Sequence, residues 1–142
     1  MKMEENVLYN EKEIISKWNA DMYDCNENGI QDVEFALSVI GTEPKNILEI
    51  ACGSGRMLVP MAKAGHIVTG LDFDEYMLEK IASKAKGMEN IAWRKTDVTH
   101  DEWGQGFDVV VLAANFLLNI VSDTDYEKAQ KNLLYFRYSR TI

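Results

Sequence analysis

The spacing of apolar positions along this chain changes near residue 46. Before that point it is helical. Asn10, with Glu13 three positions later, predicts a capped helix whose Ile14, Ile15 and Trp18 share an apolar face. A polar break at residues 24–29 leads to a second predicted helix, capped by Asp32, with Val33, Leu37 and Ile40 on one side, Gly41 as its stop and Pro44 beyond. From residue 46 onward, short β-branched runs at 46–51, 66–72, 90–96 and 107–114 predict four strands. A helix over 56–64, with Pro60 near its first turn and Gly65 after it, separates the first two. Asp74 caps the next, in which Leu78, Ile81, Ala82 and Ala85 recur at helical spacing before Gly87. A last helix is predicted over 123–136. Strands alternating with helices call for parallel pairing and right-handed crossovers, so the predicted fold class is α/β, doubly wound.

Composition narrows the function classes. The chain has 142 residues, 46% of them hydrophobic, with 2 Pro and 9 Gly, which reads as one compact domain. No apolar run reaches the roughly 20 residues needed to cross a bilayer, and the start lacks a hydrophobic signal core, so no membrane association and a cytoplasmic location are expected. Fifteen Lys plus Arg against 23 Asp plus Glu give a net charge of −8, which argues against nucleic acid as a partner. The charge is uneven: residues 1–44 carry ten acids and three bases, whereas four bases and no acid follow Glu127. Cys25 and Cys52 stand alone, indicating neither a disulfide framework nor a zinc site. His66 and His100 read as ordinary surface or loop histidines, and Trp18, Trp93, Trp103, Met57 and Met61 as core packing.

Candidate chemistry concentrates at residues 47–58, ILEIACGSGRML, where a buried strand runs into Ala51, Gly53 and Gly55 and then into a helix. Small residues let the backbone turn sharply and let a ligand approach it, while the helix start offers unpaired N–H groups. In an open parallel sheet, the carboxyl end of the first strand is also the usual topological switch point. A pyrophosphate would disfavour the nearby Glu49; the third small residue of the dinucleotide fingerprint is missing, and no GK[ST] follows. An acid beside the glycine turn suits a cationic ligand. Asp72, at the end of the second strand and 19 residues after Gly53, can accept both hydroxyls of a ribose or serve as a turn former. Asp97, after the third strand, could accept from an exocyclic amine while the Val98 N–H meets a ring nitrogen; alone it would be a turn residue.

In order and spacing, ILEIACGSGR, VTGLDFDEYML, WRKTDV and FDVVVLAAN resemble the first four motifs of the class I S-adenosylmethionine-dependent methyltransferases, over about residues 32–135. The resemblance is to the small-molecule branch, in which an N-terminal helical segment, here 1–44, caps the cofactor cleft of a Rossmann-like domain, here 45–142. It implies S-adenosylmethionine as cofactor, a three-layer sandwich and a small-molecule methyl acceptor. It also implies that Glu49 orients the glycine turn and faces the methionyl part, lined by Ala51, Gly53 and Ser54. Asp72 would hold the ribose, Phe73 and Met77 would cover the adenine, Asp97 and Val98 would read its edge, and Ala113 would pass beneath the methionyl chain. Arg56 is either a partner of the methionine carboxylate or a solvated first-turn side chain. No dedicated catalytic residue is implied, because alignment of the acceptor with an activated methyl supplies much of the rate. Tyr23 and Asn115 are the acceptor-side candidates, with helix packing and turn capping as their alternatives.

The chain departs from that family in length. The usual seven-stranded sheet continues beyond the fourth strand, whereas this sequence stops at Ile142. The expectation is a partial sheet lacking its last strands, with an apolar edge at FDVVVLAA that pairs in a homodimer or with another polypeptide. A truncated, noncatalytic association module is the alternative function, and a nicotinamide-binding oxidoreductase is disfavoured by Glu49 and the glycine spacing.

Overall fold

The computed structural model describes residues 12–22 and 31–112. Tyr23, Cys25, Ala113, Asn115 and the helix predicted over 123–136 lie outside the described residues. Helix α1 covers 12–22 and α2 covers Gln31–Ile40, followed by β1 (Asn46–Ile50), α3 (Leu58–Lys63), β2 (Ile67–Asp72), α4 (Glu75–Lys84), β3 (Ile91–Lys95) and β4 (Val109–Leu112). The strands form one sheet in the order β3-β2-β1-β4, and every pairing is parallel. The chain therefore winds outward from β1 to β3 and returns to β4 on the other side. This places a topological switch point between β1 and β4.

β1 lies between two strands and is covered on both faces, and its Ile47, Leu48 and Ile50 are fully buried, as is the acid Glu49. One face packs against all three of α2, α3 and α4: Ile47 and Val68 of the sheet meet Val33, Ile40, Leu58, Met61, Leu78 and Ile81. On the opposite face Leu48, Ile50 and Leu71 meet Val98, Trp103 and Phe107, so among the described residues the segment between β3 and β4 forms the third layer. Trp103 can be buried there because its Nε1–H donates to the Val98 carbonyl at 2.8 Å.

The helix signals were legible and their edges shifted. Asp74 caps α4, accepting from the N–H groups of Tyr76 and Met77 at 2.9 and 3.3 Å. Gly41, with φ +88°, closes α2 through its N–H to the Leu37 carbonyl. Four expectations are corrected. Asp32 sits inside the first turn of α2 rather than before it. Ala82 is exposed while its partners Leu78, Ile81 and Ala85 are buried. The apolar face predicted from Ile14, Ile15 and Trp18 points outward, with Trp18 60% exposed; α1 instead contacts α4 through an Asp21–Lys80 ion pair and Lys17 over the Tyr76 ring. Finally, His66 is buried, and its Nδ1 accepts the Lys45 N–H at 3.1 Å.

No helix among the described residues is long and apolar enough to cross a membrane. Among the described residues β4 borders the sheet.

Candidate functional site at the carboxyl end of the sheet

The turn after β1 is built from left-handed backbone. Ala51, Gly53 and Gly55 have φ of +58°, +55° and +84°, and Ala51 is the non-glycine residue among the described ones that adopts such a conformation. An L-residue held there carries local strain of about 1–3 kcal/mol, which surrounding contacts must offset. The contacts are present. The Cys52 N–H extends the β1–β2 ladder by donating to the Leu71 carbonyl at 3.1 Å, and the Gly55 N–H closes on the Cys52 carbonyl at 3.0 Å.

Asp72 joins the loops at this end of the sheet. One carboxylate oxygen accepts the Gly53 N–H at 2.7 Å, the other accepts the Asp74 N–H at 2.8 Å, and its carbonyl accepts the Thr96 N–H at 2.7 Å. Thus the acid expected at the end of the second strand holds the glycine turn, its own turn and the start of the loop after β3. It retains unused acceptor capacity, since an ionised carboxylate offers about four lone-pair sites.

Glu49 behaves differently. It is 1% exposed, and its Oε2 has no hydrogen-bond partner. Burial holds its carboxyl well above the usual range; the nearby Asp72 and Asp32 push the same way, and the Arg56 guanidinium opposes them. It lies in the strand just before the turn, while the Gly53 N–H goes to Asp72. Beside it the Cys52 thiol is buried and its pKa is raised, chiefly by burial and secondarily by Glu49. Ser54 is also fully buried with an unpartnered Oγ, while its carbonyl accepts Lys84 Nζ at 3.0 Å.

Arg56 resolves between its two expected roles in neither direction: it is bound bidentately by Asp32, at 2.8 and 2.6 Å, which ties α2 to the glycine turn. That contact lowers the Asp32 pKa, first through the hydrogen bond from Arg56. Phe73 lies just past Asp72 and is 70% exposed, with Lys95 Nζ 5.8 Å from its ring centre. Met77 is half-buried one turn into α4. Asp97 accepts from the Thr99 hydroxyl at 2.6 Å and contacts His100 Nδ1 at 2.8 Å; the Thr99 hydroxyl and then His100 hold its carboxyl below the ordinary value. Val98 is buried against the sheet. The structure thus brings Glu49, Ala51, Gly53, Ser54, Arg56 and Asp72 together at this end of β1 and β2, with Phe73, Asp97 and Val98 on the loops beside them and Met77 in the first turn of α4. A shallow cleft lined by Ser16, Phe73, Asp74, Glu75, Tyr76 and Lys95 adjoins them.

Sequence reasoning missed two members. Gly70 pairs with Glu49 in register, and a Cβ there would lie 2.6 Å from Cys52 Sγ and 2.7 Å from Leu58 Cδ2. A glycine in the middle of a β-branched strand was the available signal, since it marks a close approach. The Asp32–Arg56 pair spans 24 positions, and nothing in the local pattern announces it.

Residues 47–135 match the protein family described as Methyltransferase domain, and the chain belongs to that family. A putative methyltransferase of Geobacillus sp. (strain WCH70) is 32% identical over 82 residues, which are 57% of this chain and 33% of that protein. Among solved structures, a TehB-like S-adenosylmethionine-dependent methyltransferase from Corynebacterium glutamicum superposes with a TM-score of 0.70 at 22% identity, covering 84% of this chain and 65% of that one. The glycopeptide N-methyltransferase MtfA, solved with S-adenosylmethionine, gives 0.64 at 18% identity, covering 78% and 50%. The fold is therefore that of these enzymes, and the chain spans about a third of the length of the Geobacillus relative.

Proposed function

We propose that this chain binds S-adenosylmethionine at the turn after β1 and belongs to an enzyme that transfers its methyl group to a small-molecule acceptor. The observation that carries the reading is the buried Glu49, with an unpartnered oxygen, beside a left-handed turn held by Asp72. A carboxylate buried without a partner is costly, and a cationic ligand relieves that cost. The donor set fits the compound: Glu49 for positive charge, the turn at Ala51, Gly53 and Ser54 for close approach, and the spare acceptor capacity of Asp72 for ribose hydroxyls. Phe73, already exposed beside Asp72, offers an apolar face to a base, with Met77, Asp97 and Val98 around it.

When bound, the cofactor supplies an activated methyl group. The protein's part is to hold it and align an acceptor, which in favourable cases contributes up to roughly 7–11 kcal/mol. Ala113 and the acceptor-side residues Tyr23 and Asn115 belong to this reading. The family membership and the names of the relatives support a methyltransferase, and the variety of those relatives leaves the acceptor at the level of a small molecule.

Isothermal calorimetry with S-adenosylmethionine and S-adenosylhomocysteine tests the proposal. Saturable binding of both, abolished by Asp72→Ala in a chain that still melts cooperatively, is the expected result. Absence of heat and of any thermal shift with either compound would overturn it and favour an association module.

A further inference from the structure

Helix α1 is mounted with its apolar side outward. At 3.6 residues per turn, Ile14, Trp18 and Met22 fall in line four positions apart and Ile15 lies beside them, so the four form one stripe. Each is between 42% and 64% exposed. The opposite side is the one that packs: Ala20 is buried, Glu13 and Ser16 are half-buried, and Ser16 lines the cleft beside Phe73. Lys17 and Asp21 serve that inner side as well. Lys17 pairs with Glu13 at 3.1 Å and stands 5.5 Å from the centre of the Tyr76 ring, and Asp21 pairs with Lys80. Among the described residues of α1, no charged position falls within the stripe. An amphipathic helix ordinarily buries such a stripe, and an uncharged apolar face left in water marks a docking surface.

We propose that this face receives a second copy of the same chain, the two α1 helices lying antiparallel about a two-fold axis at Trp18. The stripe is symmetric about that residue: Ile14 stands four positions before it and Met22 four after. The rotation therefore sets Ile14 of each copy against Met22 of the other and brings the two Trp18 rings together, which is the self-complementarity an isologous contact requires. Area agrees with a reversible dimer. The four side chains leave on the order of 500 Å² open on each copy, so two copies bury on the order of 1,000 Å², the lower end for a specific interface. Charge argues against a lipid surface as the occupant. A helix lying in a bilayer interface is rich in Lys and Arg on its polar face, whereas here Lys17 is committed to Glu13 and the chain carries a net charge of −8. The inference stands apart from the proposed function and needs no ligand.

Sedimentation equilibrium of the full chain from about 1 to 500 µM tests this, a window that brackets the micromolar dissociation constants of small interfaces. The expected result is a weight-average mass that climbs from one chain toward two, with the climb abolished in Trp18→Glu. That variant should melt as the parent does at the dilute end, because position 18 lies outside the packed side of α1. Cross-linking with a short bismaleimide locates the axis, since a two-fold brings only the residues on it against their own copies. In a Cys25→Ser background, Trp18→Cys should link to itself between two copies, as mapped by peptide mass spectrometry, whereas Val39→Cys, at an equally exposed position on α2, should not. A parent chain that stays monomeric throughout, a dimer that persists unchanged in Trp18→Glu, or a Val39 link in place of the Trp18 link would overturn the proposal. Capture on phosphatidylcholine vesicles without self-association would overturn it in favour of a lipid surface. If Trp18→Glu fails to fold, the cross-link at position 18 decides alone.

Discussion

Individual side chains at the turn after β1 carry opposite burdens. Asp72 satisfies two backbone N–H groups, so Asp72→Ala leaves Gly53 and Asp74 without their acceptor, at about 1–3 kcal/mol for each donor that water does not reach. Urea unfolding should report that loss together with the loss of binding. Glu49 is the reverse case, because its pKa is raised in the folded state, chiefly by burial. The folded chain then holds a proton that the unfolded chain has released, so stability from this group is full at low pH and is lost as pH climbs from the ordinary carboxylate range through the raised value. Glu49→Gln should therefore gain stability over the parent chain in the absence of ligand, by a margin that widens with pH. Thermal melts at several pH values check this. Gly70→Ala would press a methyl group against Cys52 and Leu58 at 2.6–2.7 Å. The expected cost is about 1–3 kcal/mol, measured by urea unfolding, because both neighbours are themselves packed.

Helices and loops reach the site through a few named contacts. α4 starts at Asp74, whose carboxylate takes two orphan N–H groups, and Asp74→Ala should cost about 1 kcal/mol by the same measurement. α2 is linked to the glycine turn by Asp32 and Arg56. The Asp32 side chain is 53% exposed, so Asp32→Asn should lower stability by less than about 1 kcal/mol, and less again at high salt. Because the Asp32 pKa is lowered, what the pair contributes is present above the ordinary carboxylate range and fades as pH falls below it.

Across the molecule, the parallel order β3-β2-β1-β4 turns distant sequence motifs into one site. Strand ends Ile50, Asp72, Lys95 and Leu112 all emerge at the same edge because every strand runs the same way. The return from β3 to β4 opens the crevice beside β1, where the carboxylates gather. The second face of the sheet is closed by Val98, Trp103 and Phe107 rather than by a described helix, and the same loop starts with Asp97. Ligand binding at that rim should therefore protect the backbone of residues 96–103 from hydrogen exchange along with the glycine turn, an outcome that exchange mass spectrometry would register.

The alternation of apolar runs was enough to place four parallel strands and the helices between them, since burial on both faces leaves a plain mark in composition. The turn at Ala51, Gly53 and Gly55 and the cap at Asp74 were equally legible, because left-handed backbone and exposed helix N–H groups admit few residue types. What only the tertiary structure decided concerns partners far apart in the chain: that Asp72 holds Gly53, that Arg56 meets Asp32, that His66 is buried, and that the apolar side of α1 faces outward. Local spacing reports how one element can be two-faced. Which face is covered, and which charge lies opposite which, depends on contacts that close only when the sheet is assembled.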